Sequence, residues 1–251
     1  MCAGVPTITV LGVPVAALTV RQAVAEVSRL VDEPGPRTLV YANAHSVNLS
    51  RSDARYRACL AKADLVLNDG SGLALAARVG GRRFPANLNG TDFTPEVLRL
   101  AARRGLGVYL LGGRAGVAAA AAERLSRTVP GLRVVGHHHG YLTTGQSREV
   151  ARQIWETGAD IVLVAMGNPR QELWLAEHLP ATGAALGVAV GAFLDFAAER
   201  VPRAPKWMRQ AGIEWLYRLG REPRRLFARY VVGNPLFVAR VLLDSVAATG
   251  R

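Results

Sequence analysis

Residues 160–174 read DIVLVAMGNPRQELW, and the architecture follows from how this stretch is parsed. Ile161 to Met166 are six apolar residues in a row, three of them β-branched, so no face of the segment is suited to water. A short run of this kind fits a strand covered on both sides, as strands of parallel sheets are. The run then breaks at Gly167, Asn168 and Pro169, and PRQELWLAEHL (169–179) resumes with helical spacing, its proline suited to a helix start. A buried strand, a polar turn and a helix make one half of a βαβ unit.

The same grammar recurs along the chain. TLVYAN (38–43), DLVL (64–67), GVYLLGG (107–113), LRVVG (132–136) and AALGVAVG (184–191) read as further strands. Helical segments are predicted over 46–63, 71–80, 91–105, 115–129, 147–158 and 169–179. Thr91, Pro95 and Glu96 supply start signals for the third of these. The expected fold is therefore α/β, a mostly parallel Rossmann-like sheet flanked by helices. After FLDF (193–196) strand alternation ends, and the rest is rich in Arg and aromatics and punctuated by Pro205, Pro223 and Pro235. We expect an α/β core over 1–196 and a C-terminal appendage of three short helices over 197–251.

Half of the 251 residues are apolar, enough for a substantial core. No uninterrupted apolar segment reaches the roughly 18 residues of a spanning helix, and no leader pattern opens the chain. Cys2 and Cys59 form neither a disulfide framework nor a metal spacing, which fits a reducing, cytoplasmic compartment. The net charge of +12 is unevenly spread: eleven cations against four anions lie between Glu199 and Arg251. That asymmetry points to an anionic partner, whether a phosphorylated substrate, a membrane surface or a nucleic acid.

Ligands of open parallel sheets bind at the carboxyl ends of the strands. Four such ends are polar or glycine-rich: Asn43, Asp69, LLGGRAG (110–116) and Gly167 to Glu172. Each has a plain structural use as a turn or helix cap; several on one side of one sheet make better sense as a site. The glycine turn with Gly112 and Gly113 leads into a helix whose free N–H groups suit a phosphate. A dinucleotide fingerprint fails, because Leu75 stands at the third glycine position after Gly70 and Gly72, and no Walker pattern occurs. No Asp-x-Asp offers paired carboxylates for a metal-held diphosphate, and the consecutive His137, His138 and His139 do not converge easily on one ion. A departing diphosphate would have to be neutralised by arginines.

NDGSGL, NGTDF, LLGG, GYL, MGNPRQELW and VGAFLDFAAERVPRAPKWMRQAGIEWLYRLGREPRRLFARY, in this order and spacing, resemble the WecG/TagA/CpsF glycosyltransferases (glycosyltransferase family 26) from about Thr7 to Leu243. The most specific part is Pro202 to Tyr230. The resemblance implies transfer of a sugar from a UDP-sugar to a polyprenyl-diphosphate-linked acceptor, with inversion and without a required metal or other cofactor. It implies a peripheral enzyme on the inner face of the plasma membrane, recruited by an appendage that also completes the active site. The acidic residue of an ADG-like motif, the family's proposed general base, corresponds to Asp69. The MGNPRQELW motif makes Gln171 a donor ligand, with Asn168, Arg170 and Glu172 around it. Asn43, Thr91 and Asp92 are further expected substrate contacts, and Arg218, Arg221 and Arg225 are expected to face the diphosphate. The family often has Thr and Arg where this chain has Tyr41 and Asn87, both beside the expected sugar or acceptor pocket, so the donor sugar is N-acetylmannosamine or a hexose. A homo-oligomer is compatible with the resemblance.

Two rival classes remain at this stage. A nucleic-acid-binding protein would explain the charge, but the basic residues interleave with Trp207, Trp215, Tyr217 and Tyr230 in an amphipathic pattern suited to an anionic membrane, and no nucleic-acid signature appears. A nicotinamide-dependent Rossmann protein lacks its fingerprint.

Overall fold

A computed structural model of the chain describes residues 4–205, 207–208 and 211–249, apart from the side chains of Arg225 and of 247–249. Cys2, Lys206, Arg209 and Arg251, and the side chain of Arg225, therefore lie outside the described residues. Eight strands form one sheet in the order β1-β2-β4-β3-β8-β7-β5-β6. They are β1 (Thr7–Val10), β2 (Val13–Ala16), β3 (Arg37–Ala42), β4 (Leu65–Asn68), β5 (Gly107–Gly112), β6 (Arg133–His138), β7 (Ile161–Ala165) and β8 (Leu186–Ala189). All neighbours are parallel except β1 and β2, an antiparallel hairpin. The stretch 160–174 behaves as read: β7 is buried along its whole length between β8 and β5, and a helix starts at Arg170.

Helices cover both faces. On one side α1 (Val20–Asp32), α5 (Gly90–Arg104), α6 (Val117–Thr128) and α9 (Phe193–Ala197) bury residues such as Leu30, Phe93 and Leu98. On the other, α2 (Ala44–Ser52), α3 (Ala54–Lys62), α4 (Ser71–Val79), α7 (Thr144–Thr157) and α8 (Arg170–His178) bury Tyr56, Leu73, Ile154 and Leu175.

Three local readings need correction. The hairpin β1–β2 and helix α1 were not read at all. The helix predicted over 46–63 is two helices, because Asp53 leaves helical backbone and its carboxylate accepts the N–H groups of Arg55 and Tyr56, starting α3 afresh. Helix α5 starts at Gly90 under an Asn89 cap, ahead of the start signals at Thr91, Pro95 and Glu96.

The C-terminal part comprises α10 (Glu214–Arg221), α11 (Pro223–Phe227), a π-helical turn (Ala228–Val232) and α12 (Gly233–Thr249). Thus α12, at 17 residues, is not short. Pro235 lies in its first turn, directly after the π-helical turn. It packs across α2 and α4, burying Phe237 and Val241 in the same core layer as Leu73. Among the described residues no helix is long and apolar enough to cross a membrane.

Candidate active site

Strands β4, β3, β8, β7 and β5 lie side by side, so their carboxyl ends bring Asp69, Asn43, Gly191, Gly167 and Gly113 into one row. The chain runs from β3 outward to β4 in one direction and from β5 to β6 in the other, and the resulting crevice is where such sheets bind ligands.

Asn43 is the hinge of this row. As N-cap of α2 its Oδ1 accepts the backbone N–H of Ser46 at 3.1 Å, which leaves Nδ2 to donate to Asp69 Oδ2 at 3.2 Å. Asp69 is half-buried, its backbone N–H is held by the carbonyl of Ala42 at 2.8 Å, and its Oδ1 has no protein partner among the described residues. The next residue, Gly70, adopts φ 90°, a turn that a side chain would strain, and donates its N–H to Asn87 Oδ1 at 3.1 Å. Asn87 is exposed, and this bond holds it one residue from Asp69. Tyr41 is buried below; its phenol bonds Thr94 at 3.1 Å, and burial, reinforced by the charge of Asp69, pushes its pKa upward. Tyr41 therefore contributes a neutral hydroxyl.

Thr91 and Asp92 occupy the first turn of α5. Asp92 accepts from Asn89 Nδ2 at 2.9 Å and from Arg203 at 2.8 Å, a contact across 111 residues that sequence reading missed and that no local pattern signals. It ties the segment after α9 to the crevice rim. Ser71 Oγ similarly donates to the carbonyl of Gly212 at 3.0 Å, so the C-terminal part lies against the turn that carries Asp69. Asn48 on α2 donates to the carbonyl of Gly233 at 2.7 Å and accepts from Arg240 at 2.7 Å.

The expected arginines are less uniform. Arg218 is half-buried, with its guanidinium 4.8 Å above the Phe196 ring, while Arg221 is exposed. Arg229, not singled out from sequence, has a buried Nε without a partner among the described residues. Burial and then Arg229 lower the pKa of His45 to about 4.

Past β7, the structure separates residues that the motif groups together. Arg170 is exposed, whereas Gln171 and Glu172 are each only 2% exposed and lie beneath the crevice. Gln171 Oε1 accepts the N–H groups of Gly167 at 3.2 Å and Gly191 at 3.0 Å, and its Nε2 donates to Glu172 Oε1 at 2.8 Å. Asn168 Nδ2 donates to the same carboxylate oxygen at 2.6 Å and to Tyr56 OH at 3.1 Å. The Gln171 amide is thereby committed to joining the loops after β7 and β8.

At the glycine turn, Gly112 has φ 152° and a Cβ there would stand 2.4 Å from the carbonyl oxygen of Ala165, so only glycine fits. Beyond Gly113 a cavity of about 410 Å³ is bordered by Arg114 and Ala115 of the LLGGRAG turn and by His139 and Tyr141, two residues that the sequence did not mark as site residues. Of the consecutive histidines, His138 Nδ1 lies 2.9 Å from the carbonyl of His139, and no metal-binding group of three His, Cys, Asp or Glu forms among the described residues.

An open parallel sheet whose polar strand ends surround one tethered carboxylate is the frame of an α/β group-transfer enzyme. Compared with known proteins, the chain matches the family described as "Glycosyl transferase WecG/TagA/CpsF family" over residues 8–250, and it belongs to that family. It is a glycosyltransferase. A relative at 31% identity over 204 residues is the N-acetylglucosaminyldiphosphoundecaprenol N-acetyl-beta-D-mannosaminyltransferase of Bacillus spizizenii; the matched segment spans 81% of this chain and 78% of the relative. Neither the nucleic-acid-binding nor the nicotinamide-dependent alternative finds support in this membership.

Proposed function

We propose that the protein transfers N-acetylmannosamine or a hexose from a UDP-sugar to a polyprenyl-diphosphate-linked acceptor, inverting the anomeric carbon, in the assembly of a cell-surface polymer. The observation that carries this reading is the Asp69 carboxylate, tied at one oxygen by Asn43 and without a partner at the other among the described residues. In the reaction Asp69 Oδ1 takes the proton of the acceptor hydroxyl as that oxygen bonds to the anomeric carbon. The bond from that carbon to the diphosphate breaks, and UDP departs with the electron pair. The Gly112–Gly113 turn and the cavity beside Arg114 and Tyr141 suit the nucleotide, with the Tyr141 ring, exposed at the rim, as a stacking surface for the base. Arg218 and Arg221, with Arg225 outside the described side chains, neutralise the departing diphosphate. Asn87 and Tyr41 shape the sugar pocket, and Thr91 and Asp92 border the acceptor path.

The acceptor is a lipid, so the enzyme works peripherally on the inner face of the membrane. The outer side of α12 favours this, because Leu236, Leu242, Leu243 and Val246 are exposed while Phe237 and Val241 face inward. Incubation with a panel of UDP-sugars and an N-acetylglucosaminyl-diphosphate-lipid analogue tests the reading. Transfer of one sugar, with release of UDP and inverted configuration by NMR, supports it. Turnover of none of the donors would overturn it.

A further inference from the structure

The loops after β7 and β8 meet on a single atom, Gln171 Oε1, which accepts the N–H groups of both Gly167 and Gly191. A carboxamide presents oxygen or nitrogen according to the turn of its last bond, and the wrong turn sets N–H against N–H twice. Glu172 decides the turn. An ionised carboxylate only accepts, so Gln171 Nε2 must face Glu172 Oε1, which leaves Gln171 Oε1 to the two loops. The same Glu172 oxygen holds Asn168, the residue after Gly167. Glu172 Oε2 is buried without a partner among the described residues, and the side chain borders a cavity of about 230 Å³ walled by Thr38, Val40, Cys59, Leu175 and Leu179.

We propose that Glu172 is a positioning residue for glycosyl transfer: out of reach of the substrate, it orients the Gln171 and Asn168 amides and thereby sets the two loops that hold the donor. This rests on the glycosyl-transfer reading under Proposed function, the loops after β7 and β8 lying in the same row of strand ends as Asp69 and the Gly112–Gly113 turn. The geometry makes the role sensitive to proton uptake. Burial raises the Glu172 pKa to about 7, against the lowering effect of its hydrogen bonds from Gln171 and Asn168. The groups facing it are Tyr56, Cys59 and Lys62 on α3, and Asp64 before β4 at the cavity edge; from the π-helical turn Arg229 acts on Tyr56. Burial raises the pKa of both Tyr56 and Cys59, so they keep their protons across neutral pH. Protonation of Glu172 removes the charge that strengthens two hydrogen bonds, and charge-assisted bonds are about twice as strong as neutral ones.

The test measures kcat and donor KM, and the Kd of UDP, between pH 5.5 and 9 for the wild-type enzyme, Glu172→Gln and Glu172→Leu. Wild-type kcat/KM should fall about tenfold from pH 8 to pH 6, tracking the ionised fraction of a group at about 7, with the change carried by donor KM and by UDP Kd. Glu172→Gln, neutral at every pH, should lack this acid limb and hold kcat/KM near the wild-type value at pH 6, about tenfold below wild type at pH 8, because its amide oxygen still accepts but without the charge. Glu172→Leu should raise donor KM about tenfold or more at every pH. An acid limb unchanged in Glu172→Gln, or a wild-type KM in a folded Glu172→Leu, would overturn the proposal; a purely structural residue would lower the melting temperature and leave the pH profile alone. Should Glu172→Leu not fold, Glu172→Gln decides. Absence of transfer by the wild-type enzyme would fail the transferase reading instead, and the pH dependence of UDP binding would still decide the role of Glu172.

Discussion

Asn43 Nδ2 lies 3.2 Å from Asp69 Oδ2, and the other end of the same amide is pinned by the backbone of Ser46. The amide cannot turn away from Asp69 without giving up the cap of α2, so helix capping and orientation of the carboxylate are one arrangement.

Asp69→Asn should lower transfer by about 10²-fold or more with the fold intact, as expected for loss of a general base. Gly70 rather than the carboxylate supplies the unusual backbone angle of the turn, so the turn survives the change. The measurement is single-turnover transfer alongside UDP binding. Near-wild-type turnover would remove Asp69 from the mechanism.

Asn43→Ser separates the two duties of that amide. Serine caps a helix about as well as asparagine, so stability should stay within about 0.5 kcal/mol. It has no N–H to reach Asp69, and kcat should fall about tenfold with donor KM little changed. A wild-type kcat in this variant would mean that the Asn43 contact is incidental to catalysis.

Gln171→Ala should cost stability as well as donor affinity. It strips the acceptor from two backbone N–H groups, and an unpaired buried group costs about 1–3 kcal/mol. Urea denaturation of the variant is expected to show a loss of about 2 kcal/mol or more. Full stability combined with a raised donor KM would instead favour direct contact with the donor.

Stability against pH should carry two opposed slopes. The folded-state pKa of Glu172 is raised from 4.5 to about 7, so the folded protein binds the extra proton and becomes more stable as pH falls from 7 to 4.5. The pKa of His45 is lowered from 6.5 to about 4, so there the unfolded chain binds the extra proton and stability is lost as pH falls from 6.5 to 4. Melting temperatures at pH 7 and 5 should drop more on acidification in Glu172→Gln than in wild type, and less in His45→Gln. Identical shifts in all three proteins would contradict both assignments.

How much of this was legible depended on how far each determinant lies from the residues it controls. Strand β7 was readable because burial on both faces writes an unbroken apolar run, and Asp69 and Asn43 stood out as polar residues where such runs stop. The hairpin β1–β2 was not, since its strands are four residues each and the second contains Pro14. The motif GNPRQE marked the right turn but could not say which side chains face the crevice. That depends on the phase of α8, which turns Arg170 outward and sends Gln171 and Glu172 beneath the sheet's rim. Arg203 and Asp92 meet from positions 111 residues apart, and only tertiary packing announces such a pair.

The C-terminal helix offers the most direct separation of anchoring from catalysis. Its inward residues Phe237 and Val241 complete a core layer shared with Leu73 and Val47, while Leu243 and Val246 are 71% and 69% exposed. Truncation after Phe196 should therefore destabilise the remainder as well as release it, because it uncovers that layer and removes the Ser71–Gly212 contact beside Asp69. Leu243→Glu combined with Val246→Glu alters only the outer side, adding charge where an apolar helix face would enter the headgroup region. This double variant should lose co-sedimentation with anionic vesicles, keep its melting temperature, and keep its rate on a water-soluble acceptor analogue. Phe237→Ala should do the reverse, costing about 3 kcal/mol of stability through the cavity it opens, with vesicle binding retained by the folded fraction. If the double variant still sediments with vesicles, the membrane face lies elsewhere; if it loses activity on the soluble analogue, the outer side of α12 serves the active site and not the lipid.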